Sequence, residues 1–232
     1  MTAQRMASAS VLVEDLSYAY GSGGGRRTVL NGLSCHVGRG EVVMVTGPSG
    51  SGKTTLLSIV GALRGFGQGS VRLDGTELCG LAERELIPLR HRIGFIFQRH
   101  NLLRSLSVLA NVESGLQTPG GSDRNARRGR ARAMLEAVGL GDRCDDHPDD
   151  LSGGQQQRVA VARALARMPA VIIADEPTAS LDAEAGRVVM EVIRSLANQV
   201  GCSVLVSTHD ERIFGFADRR IHIGDGRVVR DS

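Results

Sequence analysis

Nine consecutive residues, Gly47, Pro48, Ser49, Gly50, Ser51, Gly52, Lys53, Thr54 and Thr55, carry the spacing G-x-x-x-x-G-K-[ST] and point to phosphate chemistry. Glycines at this spacing let backbone N–H groups converge on phosphate oxygens that a β-carbon would hold at a distance. Of the 28 Lys+Arg residues, Lys53 is the only lysine. A compact ammonium on a flexible stem suits the β- and γ-phosphates of a nucleotide better than a planar guanidinium would. The Thr54 hydroxyl suits Mg²⁺, and the helix that these residues open aims its unpaired N–H groups and positive dipole end at the same anion.

Further groups stand where such a site needs them. Asp175 and Glu176 close the apolar run 171–174. Neighbouring carboxylates on a strand face opposite ways, so they are expected to do different work, Asp175 on the metal and Glu176 on a water in line with the γ-phosphate. Gln98 ends the apolar run 93–97, and His209 follows the buried run 203–207. Open α/β sheets bind ligands beyond the carboxyl ends of their strands, so Gln98, Asp175 and His209 are expected at one edge. Ser152, Gly153, Gly154 and Gln155 open another helix and form a second anion site, which implies a phosphate shared by both. The only two tyrosines, Tyr18 and Tyr20, precede a glycine-rich turn, and either ring can stack on a base, Tyr20 by position. Taken singly, a strand-end glutamine or histidine, a capped helix or a tyrosine beside a turn is ordinarily structural. Their arrival at one edge carries the functional reading.

The elements follow from periodicity. Residues 11–16 and 34–37 read as short strands around the polar turn 21–25, an antiparallel ribbon ahead of the cradle. The cradle itself has the apolar run 42–45 before it and the helical run 56–60 after it. Residues 71–75 read as a strand ending in an Asp-Gly turn, and 83–92 as a polar helix that Pro88 kinks or ends. Residues 101–116 are expected to be helical, 119–123 to break the chain, and 124–138 to form an arginine-rich amphipathic helix closed by Gly139. A helix over 183–196 and alternating short strands around the turn 224–226 complete the pattern. The fold class is therefore α/β, a phosphate-loop core with a mainly parallel sheet. It carries an N-terminal antiparallel β subdomain and a helical insertion at about 90–150, within one domain over 1–232.

Composition narrows the classes. With 232 residues, 41% of them hydrophobic and 23% charged, the chain can bury a large core. No run approaches 18 apolar residues, and the first ten residues lack the apolar core of a signal peptide, so any membrane role is expected to come through a partner. Cys35, Cys79, Cys144 and Cys202 have no C-x-x-C spacing, which argues against zinc and for reduced thiols. A net charge of +3, 3% aromatics and no tryptophan give no reason to expect a nucleic-acid partner.

In type, order and spacing these motifs resemble the ATP-binding subunits of ABC transporters over nearly the whole chain: the loop 47–54, Gln98, the signature 151–155, the carboxylates at 175–176, Asp182 and His209. Residues 94–103 and 174–182 are similar to the group that includes lipoprotein-release and macrolide-export ATPases, and most nearly to the Dev-type subunits of glycolipid exporters. Pro88 and the glycine run depart from that pattern without touching a site position. The resemblance implies ATP and Mg²⁺ as ligands, with the metal held by Thr54, Gln98 and Asp175. Lys53, Gln98, Glu176 and His209 then serve hydrolysis, and Ser152 and Gly154 of a second, head-to-tail copy face the γ-phosphate. It also implies integral membrane permease subunits with or without a periplasmic adaptor, and a place on the cytoplasmic face of the inner membrane. Two other readings stay open. A soluble ABC ATPase of repair or translation is expected to carry two such domains or a long coiled coil, and a nucleotide-gated module without turnover is expected to lack Glu176 or His209.

Overall fold

The computed structural model describes residues 9–21, 25–117 and 123–232. Most of the expected turn at 21–25 and of the expected break at 119–123 lies outside the described residues.

Two sheets share the core. The larger has six strands in the order β10-β9-β3-β8-β7-β6: β3 is Val42–Thr46, β6 Ile93–Phe97, β7 Val171–Asp175, β8 Ser203–Ser207, β9 Arg219–Gly224 and β10 Arg227–Asp231. All pairings are parallel except β9 with β10, which close a hairpin through Asp225 and Gly226 in the left-handed region. Every residue of β3 and of β8 is buried. That is why these strands read as unbroken apolar runs rather than alternating ones: both of their faces are covered. Val43, Val45, Ile173, Leu205 and Ile221 face one cluster, and Val42, Met44, Ile172, Val204 and Val206 face the other, as the strand period of two requires.

The first cluster is closed by an antiparallel sheet ordered β2-β1-β4-β5, with β1 at Ala9–Tyr20, β2 at Arg27–Gly38, β4 at Gln68–Leu73 and β5 at Thr76–Glu77, and by helix α1, Lys53–Val60. The ribbon strands are each 12 residues long, longer than the apolar runs suggest. Their polar middles are absorbed by irregular register. Asp15 (φ 48°) and Gly32 (φ 64°) are left-handed, and Ser34 and Ser17 accept the N–H groups of Asp15 and Gly32 at 2.9 Å. Helix α2, Glu83–Arg90, contains Pro88 and ends two residues later.

The second cluster is covered by helices α3 (Val108–Ser114), α4 (Arg124–Ala137), α5 (Gly153–Leu165) and α6 (Ala183–Val200). Gly139 (φ 72°) follows α4, as expected of a helix stop. The stretch 101–116 is a correction, since only α3 is helical there. His100 and Asn101 are left-handed. The buried Asn111 amide donates to the carbonyls of Leu103, Leu106 and Ser107, and its oxygen accepts from Leu103 N–H at 2.7 Å, so one side chain satisfies a loop that would otherwise need helical hydrogen bonds. Within 90–150, strand β6 belongs to the larger sheet as its edge, and the helical elements follow it.

Arg219 ties the two sheets. Its guanidinium, 15% exposed, donates to Glu41 at 2.8 Å, to Asp231 at 2.9 Å and to the carbonyl of His36. Burial pushes the Glu41 carboxyl up, but hydrogen bonds from Arg219 and the Gly38 N–H outweigh it and hold it below the ordinary range. A depressed carboxyl contributes stability above its unfolded value, about pH 4.3, and loses it as pH falls through the folded value. Arg219→Met is therefore expected to cost about 1.5–3 kcal/mol at pH 7, a melting-temperature drop of about 3–12 °C. Melts repeated at pH values well below about 4, through the folded value of Glu41, should show a smaller gap between wild type and variant. A gap independent of pH contradicts the role given to Glu41.

Candidate functional site

Loop 47–52 joins β3 to α1 and is seated backbone against backbone. Gly47 (φ +143°) leaves no room for a side chain, because a β-carbon there would stand 2.2 Å from the Ile223 carbonyl oxygen. At Gly52 (φ +105°) it would stand 2.7 Å from Leu30 Cδ2 and 3.0 Å from the Val29 oxygen. Only Gly50 (φ +78°) faces open space, with Arg27 Nη2 at 3.9 Å. The glycines at the two ends of the motif thus serve packing as well as phosphate approach. Helix α1 starts from Gly52 with no side-chain cap and no acidic residue in its first turn, so its N–H groups and dipole end are uncompensated.

The cleft over this loop measures about 310 Å³ and is lined by Tyr20, Arg27, Val29, Gly50, Gly52, Lys53, Thr54 and Thr55. Two cations and no carboxylate face it, which suits an anion. Lys53 Nζ donates to the carbonyls of Gly47 at 2.8 Å and Pro48 at 3.1 Å, and the buried Ser51 hydroxyl has no partner in the protein. The loop therefore holds an ammonium ready to transfer to phosphate oxygens and a donor still unused. Its volume sits at the lower end of small-molecule sites, about 300–1,000 Å³, so part of a nucleotide must be covered from elsewhere. Tyr20 lines the cleft, and its hydroxyl lies 3.2 Å from Thr55 Oγ1. Tyr18 packs edge-on against it at 5.1 Å and accepts from Arg64, whose guanidinium lies 4.9 Å from the Tyr20 centroid.

The strand ends are brought abreast by register. Phe97 pairs with Asp175, Asp175 with Ser207 and Ser207 with Val45, so the residues that follow these strands emerge at one edge. Asp175 Oδ1 accepts from Thr54 Oγ1 at 3.3 Å and from the Ser207 hydroxyl. Thr54 and Asp175 offer hard oxygens at a separation that neighbouring ligands of Mg²⁺ can span, and phosphate oxygens would complete such a set. Gln98, exposed, follows the register partner of Asp175.

Glu176 points away from Asp175, although not for the expected reason. The strand ends at Asp175, and Glu176 is left-handed (φ 50°), its N–H held by Ser207 through the carbonyl and Oγ, both at 3.1 Å. A non-glycine residue in that region costs about 1–3 kcal/mol and persists only where its surroundings enforce it. The turn sends the largely buried carboxylate to His209, whose Nδ1–H donates to Oε1 at 2.8 Å while the ring stays 69% exposed. That bond leaves Nε2 as the ring's remaining polar atom. The pair can accept a proton at Glu176 and meet an anion at His209.

Ser152 caps α5. Its hydroxyl accepts from Gln155 N–H at 3.3 Å, and Gln155 Oε1 accepts from Ser152 N–H at 2.9 Å. Ser152, Gly154 and Gln155 line a separate cleft with Asp182, Glu184 and Ala185, and this cleft shares no lining residue with the phosphate loop. One copy of the chain does not bring its two expected anion sites together. Asp182 itself caps α6 by accepting from Ala185 N–H at 2.8 Å.

Two residues escaped the motif reading. Ser207 orients both carboxylate positions, and its only signal was a hydroxyl closing a buried strand beside the carboxylate strand. Arg27 lines the cleft, although it reads as one more arginine beside a glycine-rich turn.

The family described as ABC transporter matches residues 30–179. A macrolide export ATP-binding/permease protein MacB 1/2 of Paracoccus denitrificans is 47% identical over 91% of this chain, and the chain spans 32% of that relative's length. A lipoprotein-releasing system ATP-binding protein LolD 2 of Rhodospirillum rubrum is 43% identical, covering 94% of this chain and 95% of its own. Among solved structures, the dimeric post-hydrolysis state of the ATP-binding cassette MJ0796 bound to ADP and Pi superposes with a TM-score of 0.86 at 38% identity, over 96% of this chain and 97% of that one.

The seating of the loop predicts an effect from a distant turn. Gly226 (φ +72°) abuts the Val29 oxygen, 2.4 Å from where a β-carbon would stand, and Asn31 N–H donates to its carbonyl at 3.0 Å. Gly226→Ala is expected to push β2 off the loop, lowering both stability and affinity for inorganic tripolyphosphate. Gly75→Ala is the control, with nearly the same backbone (φ +78°) and nothing within 4 Å. It should cost only the left-handed strain, about 1–2 kcal/mol, with affinity intact. Melting curves and titration calorimetry on both variants check this, and equal binding losses would contradict it.

Proposed function

The chain belongs to the ABC transporter ATP-binding family, and from that premise we propose that it binds ATP with Mg²⁺ and hydrolyses it as the energising subunit of a transporter. The observation that carries the reading is a single edge at which a phosphate loop with a poised lysine meets the Thr54–Asp175 and Glu176–His209 pairs.

The residues divide the work of phosphoryl transfer, which is mainly positioning and charge stabilisation. Lys53 leaves the carbonyls of Gly47 and Pro48 for β- and γ-phosphate oxygens, joined by backbone N–H groups of the loop from Ser49 to Thr55. Thr54 and Asp175 would hold Mg²⁺, with Gln98 as a further ligand, and the bound ion would neutralise charge developing on the phosphates. Glu176 takes a proton from the water as its oxygen bonds to the γ-phosphorus and the bond to the β–γ bridging oxygen breaks. His209 orients that carboxylate through Nδ1–H and, when the ring carries its second proton, donates from Nε2–H to a γ-phosphate oxygen. Tyr20 lends a ring face to adenine.

The remaining wall comes from a second copy. The Ser152 hydroxyl is engaged as an acceptor by Gln155, which leaves its own proton for a phosphate oxygen, and the first-turn N–H groups of Gly153 and Gly154 add to it. The dimeric cassette neighbour supports this assembly. We read the chain as one ATPase domain whose helical part, after Gln98, moves when the dimer closes. Among the described residues no helix is long and apolar enough to cross a membrane. Separate permease subunits at the cytoplasmic face of the inner membrane would then carry the pathway, with a periplasmic adaptor as a further partner. Relatives named for macrolide export and lipoprotein release favour a hydrophobic cargo. The narrower likeness to Dev-type glycolipid exporters rests on motifs alone.

Glu176→Gln keeps the shape of the carboxylate and removes its basicity. Turnover should fall at least about 100-fold, within the range for loss of a general base, while ATP binding persists. With ATP and Mg²⁺ the variant should elute as a dimer in size-exclusion chromatography. Hydrolysis near the wild-type rate would remove Glu176 from its role.

A further inference from the structure

Lys53 is not the only cation over the phosphate loop. Arg27 opens strand β2, directly opposite Tyr20 in the register of the ribbon, and lines the same cleft. Its Nη2 lies 3.9 Å from where a β-carbon on Gly50 would stand, over the one glycine of the loop that faces open space. Among the described residues the Arg27 side chain has neither a hydrogen bond nor an ion pair, its backbone being the part paired with Tyr20. By contrast, Arg212 and Arg219 are each committed to a carboxylate.

We propose that Arg27 is a further nucleotide-binding residue that grips the polyphosphate from the ribbon side, across the cleft from Lys53; the inference rests on the reading of this cleft as the ATP site. Three physical points converge. The backbone that launches the side chain is rigid, because the Val29 carbonyl is trapped between Gly52 and Gly226, so an exposed side chain still starts from a fixed place. The guanidinium presents parallel donors that match two oxygens of a phosphate, a geometry the ammonium of Lys53 cannot supply. Finally, the cleft holds no carboxylate that would satisfy Arg27 in place of a ligand. Two cations of different geometry then bracket one anion: Lys53 from beneath the loop, Arg27 from its rim.

The test compares Arg27→Ala, Arg27→Lys and Lys53→Ala in the full chain, titrated calorimetrically with Mg-ADP, inorganic tripolyphosphate and adenosine. Arg27→Ala should weaken ADP and tripolyphosphate by about tenfold each, and leave adenosine within twofold. Arg27→Lys should recover part of the loss, and the effect should shrink in high salt, as for an exposed charge. Unchanged ADP and tripolyphosphate affinity in Arg27→Ala, with Lys53→Ala weakening both, would overturn the proposal and spare the cradle. An equal loss for adenosine would also overturn it, since the contact would then be with the base. If Lys53→Ala leaves tripolyphosphate binding unchanged, the cradle reading itself fails and the proposal falls with it.

Discussion

The structure depends on a backbone contact that tolerates no side chain. Gly47 rests against the carbonyl of Ile223, Gly52 against Val29 and Leu30, and Gly226 against the same Val29 carbonyl from the other side. The phosphate loop is therefore wedged between the C-terminal hairpin of the parallel sheet and the second strand of the antiparallel one. A loop that must aim several N–H groups at one anion cannot drift by even an ångström, and this wedge supplies the rigidity that a short glycine-rich segment lacks. It also explains why a chain with its chemistry on the parallel sheet carries the antiparallel ribbon. The ribbon backs the loop and brings Tyr20 and Arg27 to its rim.

A polar counterpart stands one strand away. Ser207 sits in the row between Val45 and Asp175, donates to the Asp175 carboxylate and accepts the N–H of Glu176. Through this one hydroxyl the Asp175 carboxylate is oriented and the left-handed turn at Glu176 is held. The strain of that turn separates the two acids, one toward Thr54 and one toward His209. The register of three parallel strands thus fixes relative positions that no local sequence could.

Much of this was legible before any coordinates, for identifiable reasons. Strands β3, β7 and β8 announce themselves because burial on both faces demands unbroken apolar runs, and the residues closing them inherit a common edge from parallel pairing. The ribbon strands extend beyond the apolar runs 11–16 and 34–37 because an irregular register, with Ser17 and Ser34 accepting the N–H groups of the left-handed Gly32 and Asp15, carries the pairing through polar residues. The pattern over 101–116 is compatible with helix throughout, yet only Val108–Ser114 is helical. The buried Asn111 amide, a tertiary contact, decides otherwise. The divergence of Asp175 and Glu176 was expected from strand alternation and is produced instead by a positive φ. Arg27 and Ser207 carry no motif, so only their neighbours across the sheets give them meaning.

In the proposed dimer one chain holds half of each catalytic site, since the cleft over Lys53 and the cleft beside Ser152 share no residue. The direct measurement is the ATPase rate of a mixture of Lys53→Ala and Ser152→Arg chains, each inactive alone. A mixed dimer can join the intact cradle of one chain to the intact signature of the other, so activity should reappear and grow with the fraction of mixed dimers. Mixed dimers that demonstrably form yet hydrolyse no ATP would contradict the shared site.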